Sequence, residues 1–460
     1  MRSEAGQSAR WGILVRSLKT GRTVFALNAD EHMTPASNTK LFSTSLALER
    51  LGPDYRFVTT VRADRAIDGE GVLVGDLRLV GGGDPTLSGR AYPYQKENEG
   101  GDPIEPIVAL AEQLTARGLR EIRGSVIGDD RRYVYQPFPE GWTVDDALWE
   151  YGAPVSALPF NDNAFTVRVE PGEVGDLARV FLNPPSLPFV IDNRVMTVAE
   201  RRGKLEVDRT PGSRQLRLNG TVGNAGARQL LAVDDPALYA AAVFQDVLTR
   251  RGVRISGEPG AMHRYRADEP FDAGYGVELA RRESLPLTEV ARVVNKVSQN
   301  LHAELLLREV GRVRQNEGTR EAGLKELGAF LKEVGVEEKE YHFEDGSGLS
   351  RRGIVSPTAI VKLLTYMHSR SYGADWDSML PFGGEDGTLR SRFDKAEAAR
   401  VIHAKTGTLG TVSALSGYLT TKRGARLVFS VIANNYTAPG PEVRKVIDRI
   451  GLALTAWEGQ

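Results

Sequence analysis

Residues 10–27, RWGILVRSLKTGRTVFAL, contain two apolar runs joined by a polar turn at residues 19–22. Gly21 can adopt the positive φ of a tight turn, so this stretch predicts an antiparallel hairpin. The next element runs from Ser37 to about Leu51, where leucines recur at helical spacing before a Gly-Pro pair ends the pattern. The chain therefore begins with a predicted hairpin followed by a helix.

The last third of the chain supplies elements that can complete this pair. The predicted segments there are helices over 286–311, 318–335 and 356–369, strands near 399–405, 411–420 and 426–434, and a closing helix over 441–457. Between the two ends, short β-like runs alternate with turns, and helical patterns occur near 105–117 and 236–251. This order indicates one mixed α/β domain that is interrupted by a long insertion.

The composition limits the possible function classes. The chain has 460 residues and a formal net charge of −1, so it lacks the basic excess of a protein whose main partner is nucleic acid. It contains no cysteine, which excludes disulfides, thiolate metal sites and cysteine nucleophiles. The apolar runs fall short of the ~18 residues of a membrane span, so we expect at most a peripheral association with membranes.

Ser37 and Lys40 form a Ser-x-x-Lys motif at the start of the first predicted helix. Residues three apart share a helix face, so the lysine amine can reach the serine hydroxyl. A lysine with a lowered pKa can remove the proton of a serine nucleophile, and the N–H groups at a helix start favour a developing oxyanion. The alternative is that Ser37 only caps the helix and that Lys40 is an ordinary surface residue.

Two further motifs carry polar side chains suited to the same chemistry. Ser298 and Asn300 stand two residues apart in a predicted turn, where a hydroxyl could relay a proton and an amide could hold a peptide bond. Residues 405–408, Lys-Thr-Gly-Thr, follow a strand-like run and offer a cation and hydroxyls to a substrate carboxylate. The same Lys-Thr-Gly tripeptide occurs at residues 19–21 in the predicted hairpin turn, so the tripeptide alone indicates little.

The three motifs together are more specific than any one of them. In this order they are the signature of penicillin-binding proteins and class A β-lactamases, with Gln299 standing where that signature has aspartate. The sequence resembles the class C low-molecular-mass penicillin-binding proteins, the D-alanyl-D-alanine carboxypeptidase/endopeptidases, over nearly its whole length. The resemblance also includes the segments 35–40 PASNTK, 82–87 GGDPTL, 141–142 GW, 153–156 APVS and 345–350 DGSGLS.

The resemblance implies a mixed α/β fold. Its main part would be a transpeptidase/β-lactamase-like domain with an antiparallel sheet and a helical part, formed by residues 1–58 and 269–460. Two inserted, largely β domains would interrupt it. One is expected over 59–170 with 230–268, and the other is nested within it over 171–229.

The function implied is that of a serine DD-peptidase that cleaves D-Ala-D-Ala, peptide cross-links of peptidoglycan, or both. Ser37 would form an acyl-enzyme, with Lys40 as its general base. Ser298, with Lys405 beside it, would carry a proton to the leaving nitrogen, and Asn300 would hold a substrate amide. β-Lactam antibiotics would acylate the same serine.

The resemblance also implies a set of substrate-binding residues. The strand residues Thr406, Gly407 and Thr408 would bind the terminal carboxylate together with Lys405. Side-chain contacts with the diamino acid of the stem peptide are expected from three further residues, Asp146 for its amine, Tyr151 for its aliphatic part and Arg351 for a carboxylate. The ordinary alternatives are a solvated loop charge, core packing and a surface cation.

Peptidoglycan stem peptides are thus the expected partners, and neither a metal nor an organic cofactor is expected. Because this substrate lies outside the cytoplasmic membrane, we expect an exported, periplasmic or cell-envelope protein with a signal peptide upstream of Met1. Two other functions stay open. A β-lactamase would need a carboxylate for rapid deacylation, which the sequence does not assign, and a non-catalytic penicillin-sensing or cell-wall-binding protein would not need both lysines.

Overall fold

The structure is a computed structural model that describes residues 3–97, 100–185, 189–272, 274–393 and 396–458. Within these ranges the chain forms ten α-helices, which are α1 Glu4–Gln7, α2 Thr39–Leu51, α3 Glu105–Ala116, α4 Pro236–Arg250, α5 Leu287–Val297, α6 Asn300–Gln315, α7 Arg320–Val334, α8 Pro357–His368, α9 Gly373–Met379 and α10 Gly440–Thr455. The strands of the same ranges are β1 Arg10–Ser17, β2 Thr23–Leu27, β3 Val58–Ala63, β4 Val72–Val74, β5 Leu77–Val80, β6 Glu121–Arg123, β7 Val126–Asp129, β8 Ala164–Glu170, β9 Arg179–Asn183, β10 Val190–Thr197, β11 Leu205–Asp208, β12 Gln215–Val222, β13 Ala227–Ala232, β14 Arg254–Ile255, β15 Gly260–Met262, β16 Val277–Glu283, β17 Tyr341–His342, β18 Ile354–Val355, β19 Ile402–Leu409, β20 Val412–Thr420 and β21 Arg426–Asn434.

A five-stranded antiparallel sheet, in the order β19-β20-β21-β1-β2, joins the two ends of the chain. Successive side chains of β1 point to opposite faces of this sheet, as they do along any strand. Ile13 and Val15 pack in one cluster with Val443 of α10, whereas Leu14 packs in another with Leu41 of α2. Helices therefore cover both faces, and the predicted hairpin is confirmed.

Helix α2 lies inside the helical layer against α5, α6 and α7. All of its residues from Thr39 to Leu48 are buried, including the polar ones. Some of these polar groups form hydrogen bonds with distant parts of the chain. For example, the hydroxyl of Ser43 donates to the carbonyl of Gly346 at 2.8 Å. Lys40 is among these buried residues, so its side chain is shielded from water.

Two predicted boundaries are wrong. The helical pattern over 286–311 is two helices, α5 and α6, because Ser298 adopts a left-handed φ of 65° between them. The strand predicted over 399–405 instead runs from 402 to 409. It continues through the Lys-Thr-Gly motif, since Gly407 pairs with Ala414 of β20.

The inserted part contains four small sheets, in the orders β15-β7-β5-β3-β16, β14-β6-β4, β13-β8-β9 and β10-β12-β11, together with α3 and α4. One hydrophobic cluster runs through them, with Leu79, Phe165 and Leu218 among its members. β16, which follows the predicted boundary at 269, pairs with β3, which follows the predicted boundary at 58. β9 pairs with β8 across the boundary predicted at 170. The division into three domains itself stays a prediction.

Of the helices in the described ranges, none has both the length and the apolar character needed to cross a bilayer.

Candidate active site

The serine of the first motif lies in a tight turn that is clamped by two glycine contacts. Ser37 is in a 3-10 turn, Ala36–Asn38, immediately before α2. A Cβ at Gly348 would lie 1.9 Å from the carbonyl oxygen of Ala36, and a Cβ at Gly407 would lie 2.5 Å from that of Pro35. Only glycine permits these approaches, so the loop at 345–350 and strand β19 both press on the turn that holds Ser37.

Lys40 is fully buried one turn after Ser37. Its Nζ donates to Ser37 Oγ at 2.9 Å, to Asn300 Oδ1 at 2.6 Å and to the carbonyl of Ser347 at 2.6 Å. Burial lowers the pKa of Lys40 to about 7, against the opposing effect of nearby carboxylates. A substantial fraction of the amine is therefore neutral near pH 7.

Two buried carboxylates of this region were not predicted from the sequence. Glu304 accepts from the backbone N–H groups of Gly346 and Ser347, each at 2.9 Å, and Asp345 accepts from Gly348 and Ser350, each at 2.8 Å. Burial, followed by the nearby Asp345, raises the pKa of Glu304 to about 7. These bonds shape the loop whose Ser347 carbonyl faces Lys40. The available signal for Glu304 was its place one helical turn after Asn300.

The left-handed conformation of Ser298 turns its hydroxyl toward the second lysine. Lys405 Nζ donates to Ser298 Oγ at 2.8 Å and to the carbonyl of Thr406 at 2.9 Å. Burial and the neighbouring Lys40 lower the pKa of Lys405 well below its ordinary value. Asn300 links the two sides of the site, since its Oδ1 accepts from Lys40 and its Nδ2 donates to the carbonyl of Tyr151 at 2.7 Å.

An open cavity of about 370 Å³ gives access to this cluster. The sequence-predicted residues that line it are Ser37, Ser298, Asn300, Thr408, Asp146, Tyr151 and Arg351. Lys40 and Lys405 are buried beneath it. Thr406 turns away to donate its hydroxyl to Thr388 Oγ1 at 2.8 Å, and Gly407 faces the backbone of Pro35. Lys19 of the repeated tripeptide is exposed in the hairpin turn and does not line this cavity.

Asp146 and Arg351 contact each other, which the sequence did not predict. Arg351 donates to the two carboxylate oxygens at 2.6 and 3.1 Å, and the backbone N–H and hydroxyl of Thr143 donate to the same carboxylate. Burial opposes ionisation, but these hydrogen bonds hold the pKa of Asp146 below its ordinary value. Asp146 is buried, and Tyr151 is 41% exposed beside it, so neither fits its ordinary alternative of a solvated loop charge or core packing.

His302 and His403 lie close in the sequence to the second and third motifs, but each is engaged with a carboxylate. His302 contacts Asp162 at 2.8 Å and His403 contacts Asp377 at 2.7 Å, and neither histidine lines the cavity. In the part of the chain that the structure describes, no group of three or more histidine and carboxylate side chains is placed to hold a metal ion.

A five-stranded antiparallel sheet between helices, with a serine at the start of a buried helix and two buried lysines beside it, is the arrangement of the penicillin-recognising serine hydrolases. The comparison with family models agrees, since the D-Ala-D-Ala carboxypeptidase 3 (S13) family matches residues 3–454. The chain belongs to this family. The resemblance, the mixed α/β fold and the class of serine D-Ala-D-Ala carboxypeptidase are thereby confirmed.

Individual relatives give the same picture. The chain is 33% identical to the D-alanyl-D-alanine carboxypeptidase of Actinomadura sp. (strain R39) over 462 residues, which cover 97% of this chain and 81% of that protein. The crystal structure of penicillin binding protein 4 from Haemophilus influenzae matches with a TM-score of 0.83 at 21% identity, covering 99% of this chain and 100% of that chain. The complex of that protein with a β-lactam matches with a TM-score of 0.77 at 22% identity, over 98% and 97% of the two chains.

Proposed function

We propose that this protein hydrolyses the D-alanyl end of peptidoglycan stem peptides, and the cross-links between them, through an acyl-enzyme on Ser37. The observation that supports this most directly is the 2.9 Å contact between Lys40 Nζ and Ser37 Oγ, made by an amine whose pKa burial lowers to about 7. A neutral amine at that distance can take the hydroxyl proton as the oxygen attacks.

In the acylation step, Ser37 Oγ bonds to the carbonyl carbon of the penultimate D-alanine and its proton passes to Lys40. Ser37 and Thr408 both line the cavity, and their backbone N–H groups would hold the oxyanion. One such donor contributes ~3 kcal/mol, which is about a hundredfold in rate.

Ser298 then completes the exchange. The bond from carbon to the leaving nitrogen breaks, and Ser298 Oγ passes a proton to that nitrogen. Lys405, at 2.8 Å from Ser298 Oγ, replaces the proton. The lowered pKa of Lys405 suits this transfer, because it makes the ammonium a stronger acid than an ordinary lysine. Free D-alanine leaves in the carboxypeptidase reaction, and a longer amine leaves in the endopeptidase reaction.

Hydrolysis of the ester regenerates the enzyme. The proton that Lys40 took from Ser37 first returns to Lys405 by way of Ser298. Water then attacks the acyl carbon and gives a proton to the neutral Lys40. Lys40 passes that proton to Ser37 Oγ as the ester bond breaks, so the product leaves as a carboxylic acid and both lysines regain their starting protonation. The terminal carboxylate of the first substrate would be held by Lys405 and Thr408. Thr406, whose hydroxyl donates to Thr388, and Gly407, which faces Pro35, would hold the strand in place without contacting the carboxylate. Asn300 keeps one free hydrogen on Nδ2 for a substrate carbonyl after its bond to Tyr151.

The diamino acid of the stem peptide would lie over Tyr151, between Asp146 and Arg351. The paired carboxylate and guanidinium offer one partner each to an amine and to a carboxylate on that side chain. Their mutual bond at 2.6 Å must loosen for either contact to form, so this pair can select a side chain that carries both groups.

β-Lactams are proposed as covalent inhibitors that acylate Ser37, and the site of action is proposed to be the periplasm or cell envelope, where peptidoglycan is found. Cell fractionation of the native organism tests the location. Recovery of the protein only from the cytosol would contradict it.

Intact-mass measurement after incubation with penicillin G, followed by peptide mapping, tests the reaction. We expect one adduct on Ser37 that persists for minutes, together with release of D-alanine from a peptide that ends in D-Ala-D-Ala. Ser37→Ala should abolish both. Rapid turnover of the drug would indicate a β-lactamase, and binding without D-alanine release would indicate a sensor.

A further inference from the structure

A second cavity, of about 570 Å³, lies on the other side of the turn that carries Ser298. At two places, consecutive residues of the chain line the two cavities, one residue each. Ser298 lines the cavity that contains Ser37, whereas Val297 lines the second one. In the same way Tyr151 lines the first cavity, and the preceding Glu150 lines the second.

The second cavity also begins next to strand β19. Thr388 lines it and accepts a hydrogen bond from Thr406, the neighbour of Lys405. The segment that carries Thr388 is fixed against α5. Lys296 and Asp386 form a buried ion pair at 2.5 Å, and Gly387 packs so closely that a Cβ would lie 2.4 Å from the carbonyl oxygen of Lys296. The wall of the second cavity is therefore rigidly joined to the proton-donating side of the active site.

The charged side chains of this cavity are mostly basic. They are Arg90, Lys96, Arg228 and Arg390, against the acidic Glu150 and Asp162. Asp162 is already neutralised, because it accepts from Arg90 at 2.5 Å and contacts His302 at 2.8 Å. Lys96 lies 3.6 Å from Glu385. Among the described residues, Arg228 and Arg390 have no carboxylate within ion-pair distance, and both are exposed and line the cavity. Within that part of the chain their guanidinium groups are therefore available to an anionic ligand.

We propose that the second cavity binds the leaving half of a cross-linked substrate, a peptide that is attached through an amine and carries free carboxylates. This inference rests on the proposed function. The acyl half must occupy the cavity that contains Ser37, and the leaving nitrogen must reach Ser298. The chain beyond that nitrogen then passes over the Ser298 turn into the space next to Thr388. Free D-alanine has no such chain beyond its nitrogen.

The proposal makes Arg228 and Arg390 specificity-determining for cross-link cleavage and not for D-alanine release. Guanidinium groups suit this role because they bind carboxylates through two parallel hydrogen bonds. The contacts are exposed to solvent, so their contribution should weaken as the salt concentration rises.

The test compares two peptides with the same acyl half. One ends in D-Ala-D-Ala, and the other carries a second stem peptide, with its carboxylates free, on the D-alanyl carbonyl. In the double variant Arg228→Gln/Arg390→Gln, kcat/KM for the cross-linked peptide should fall by about tenfold, while D-alanine release and penicillin acylation stay as in the wild type. A cross-linked peptide with amidated carboxylates should lose this difference between the wild type and the variant.

Arg201→Gln/Arg202→Gln is the matched control, since it removes the same charge from exposed positions outside both cavities. An equal loss in the control would show a long-range charge effect and overturn the proposal. The proposal also fails if the cavity variant cleaves the cross-linked peptide as the wild type does, or if it loses D-alanine release to the same extent. A wild type that releases D-alanine but cleaves no cross-link would overturn the second site and the cross-link part of the proposed function, and would leave the carboxypeptidase part standing. A wild type that releases nothing would overturn the proposed function as a whole.

Discussion

Arg351 and Asp146 form a two-point ion pair at the edge of the cavity that contains Ser37, with N–O distances of 2.6 and 3.1 Å. The two residues are 205 positions apart in the chain and belong to different parts of the molecule, the inserted segment and the loop after 345–350. The inserted part thus contributes directly to the entrance of the site. A pair at this position can act on the substrate side chain without contacting the reacting atoms.

Asp146→Ala is expected to lower kcat/KM by up to about tenfold for a peptide whose diamino acid has a free side-chain amine. The effect is limited because Asp146 is buried but its partner Arg351 is partly exposed to solvent. Penicillin acylation should stay nearly unchanged, because the drug lacks that side chain. The measurement is kcat/KM on matched peptides with free and acetylated amines. If the wild type treats the two peptides alike, Asp146 has no such role.

The acylation rate should depend on pH through Lys40. Burial lowers the pKa of this amine to about 7, so the neutral, proton-accepting form predominates above pH 7. Below that value the second-order rate of penicillin acylation should fall by about tenfold per pH unit as the amine becomes protonated. Stopped-flow or quenched mass measurements between pH 5 and pH 9 give the profile. A flat profile over this range would contradict the role of Lys40 as base.

Glu304 should tune that profile without contacting the substrate. Its carboxylate raises the pKa of Lys40, so Glu304→Gln is expected to move the midpoint of the acylation profile to lower pH. Glutamine keeps an oxygen that can accept from the backbone of Gly346 and Ser347. Glu309→Gln is the matched control, because it alters another buried carboxylate of α6, which contacts Arg132 at 2.9 Å. It should lower stability and leave the midpoint in place.

The Lys-Thr-Gly tripeptide occurs twice in the chain, so the effect of a lysine substitution can be compared between two positions in the same motif. Lys405 is fully buried and lies 2.8 Å from Ser298 Oγ, whereas Lys19 is exposed in the hairpin turn. Lys405→Ala should therefore reduce the rate of penicillin acylation by at least about a hundredfold, and Lys19→Ala should leave it unchanged. Equal effects of the two substitutions would show that Lys405 has no special role in the reaction.

The parts of this site that the sequence could predict are those set by local spacing. The Ser37–Lys40 pair follows from three residues on one helix face, and the hairpin at 10–27 follows from its turn. The break at Ser298 was less visible, because apolar residues continue on both sides of it. The strand through Lys405 begins and ends later than the apolar pattern predicts, because its pairing with β20 sets its end.

Contacts between distant segments could not be read from the sequence. Glu304 acts on Lys40 through a loop at 345–347, and Arg351 meets Asp146 only because the insertion folds back over the helical layer. Thr388 stands in no recognisable motif, and its place beside Thr406 depends on the packing of Gly387 against α5. In each case the residue type alone indicates no function, and the role follows from a contact with a residue that is distant in the sequence.

Gly348→Ala should disrupt catalysis by displacing the turn that carries Ser37. Gly348 has a φ of 76°, and a Cβ there would lie 1.9 Å from the carbonyl oxygen of Ala36, so the backbone of the turn must move.

Gly335→Ala is the control for backbone strain alone, since Gly335 has a φ of 84° and no atom within 4 Å of its Cβ position. Both variants should lose ~1 kcal/mol of stability from the left-handed conformation. Only Gly348→Ala should also slow penicillin acylation, by at least about a hundredfold, because a misplaced nucleophile loses its approach to the carbonyl. Thermal unfolding and acylation rates measured side by side separate the two effects, and a Gly348→Ala protein that acylates like the control would show that the turn tolerates the displacement.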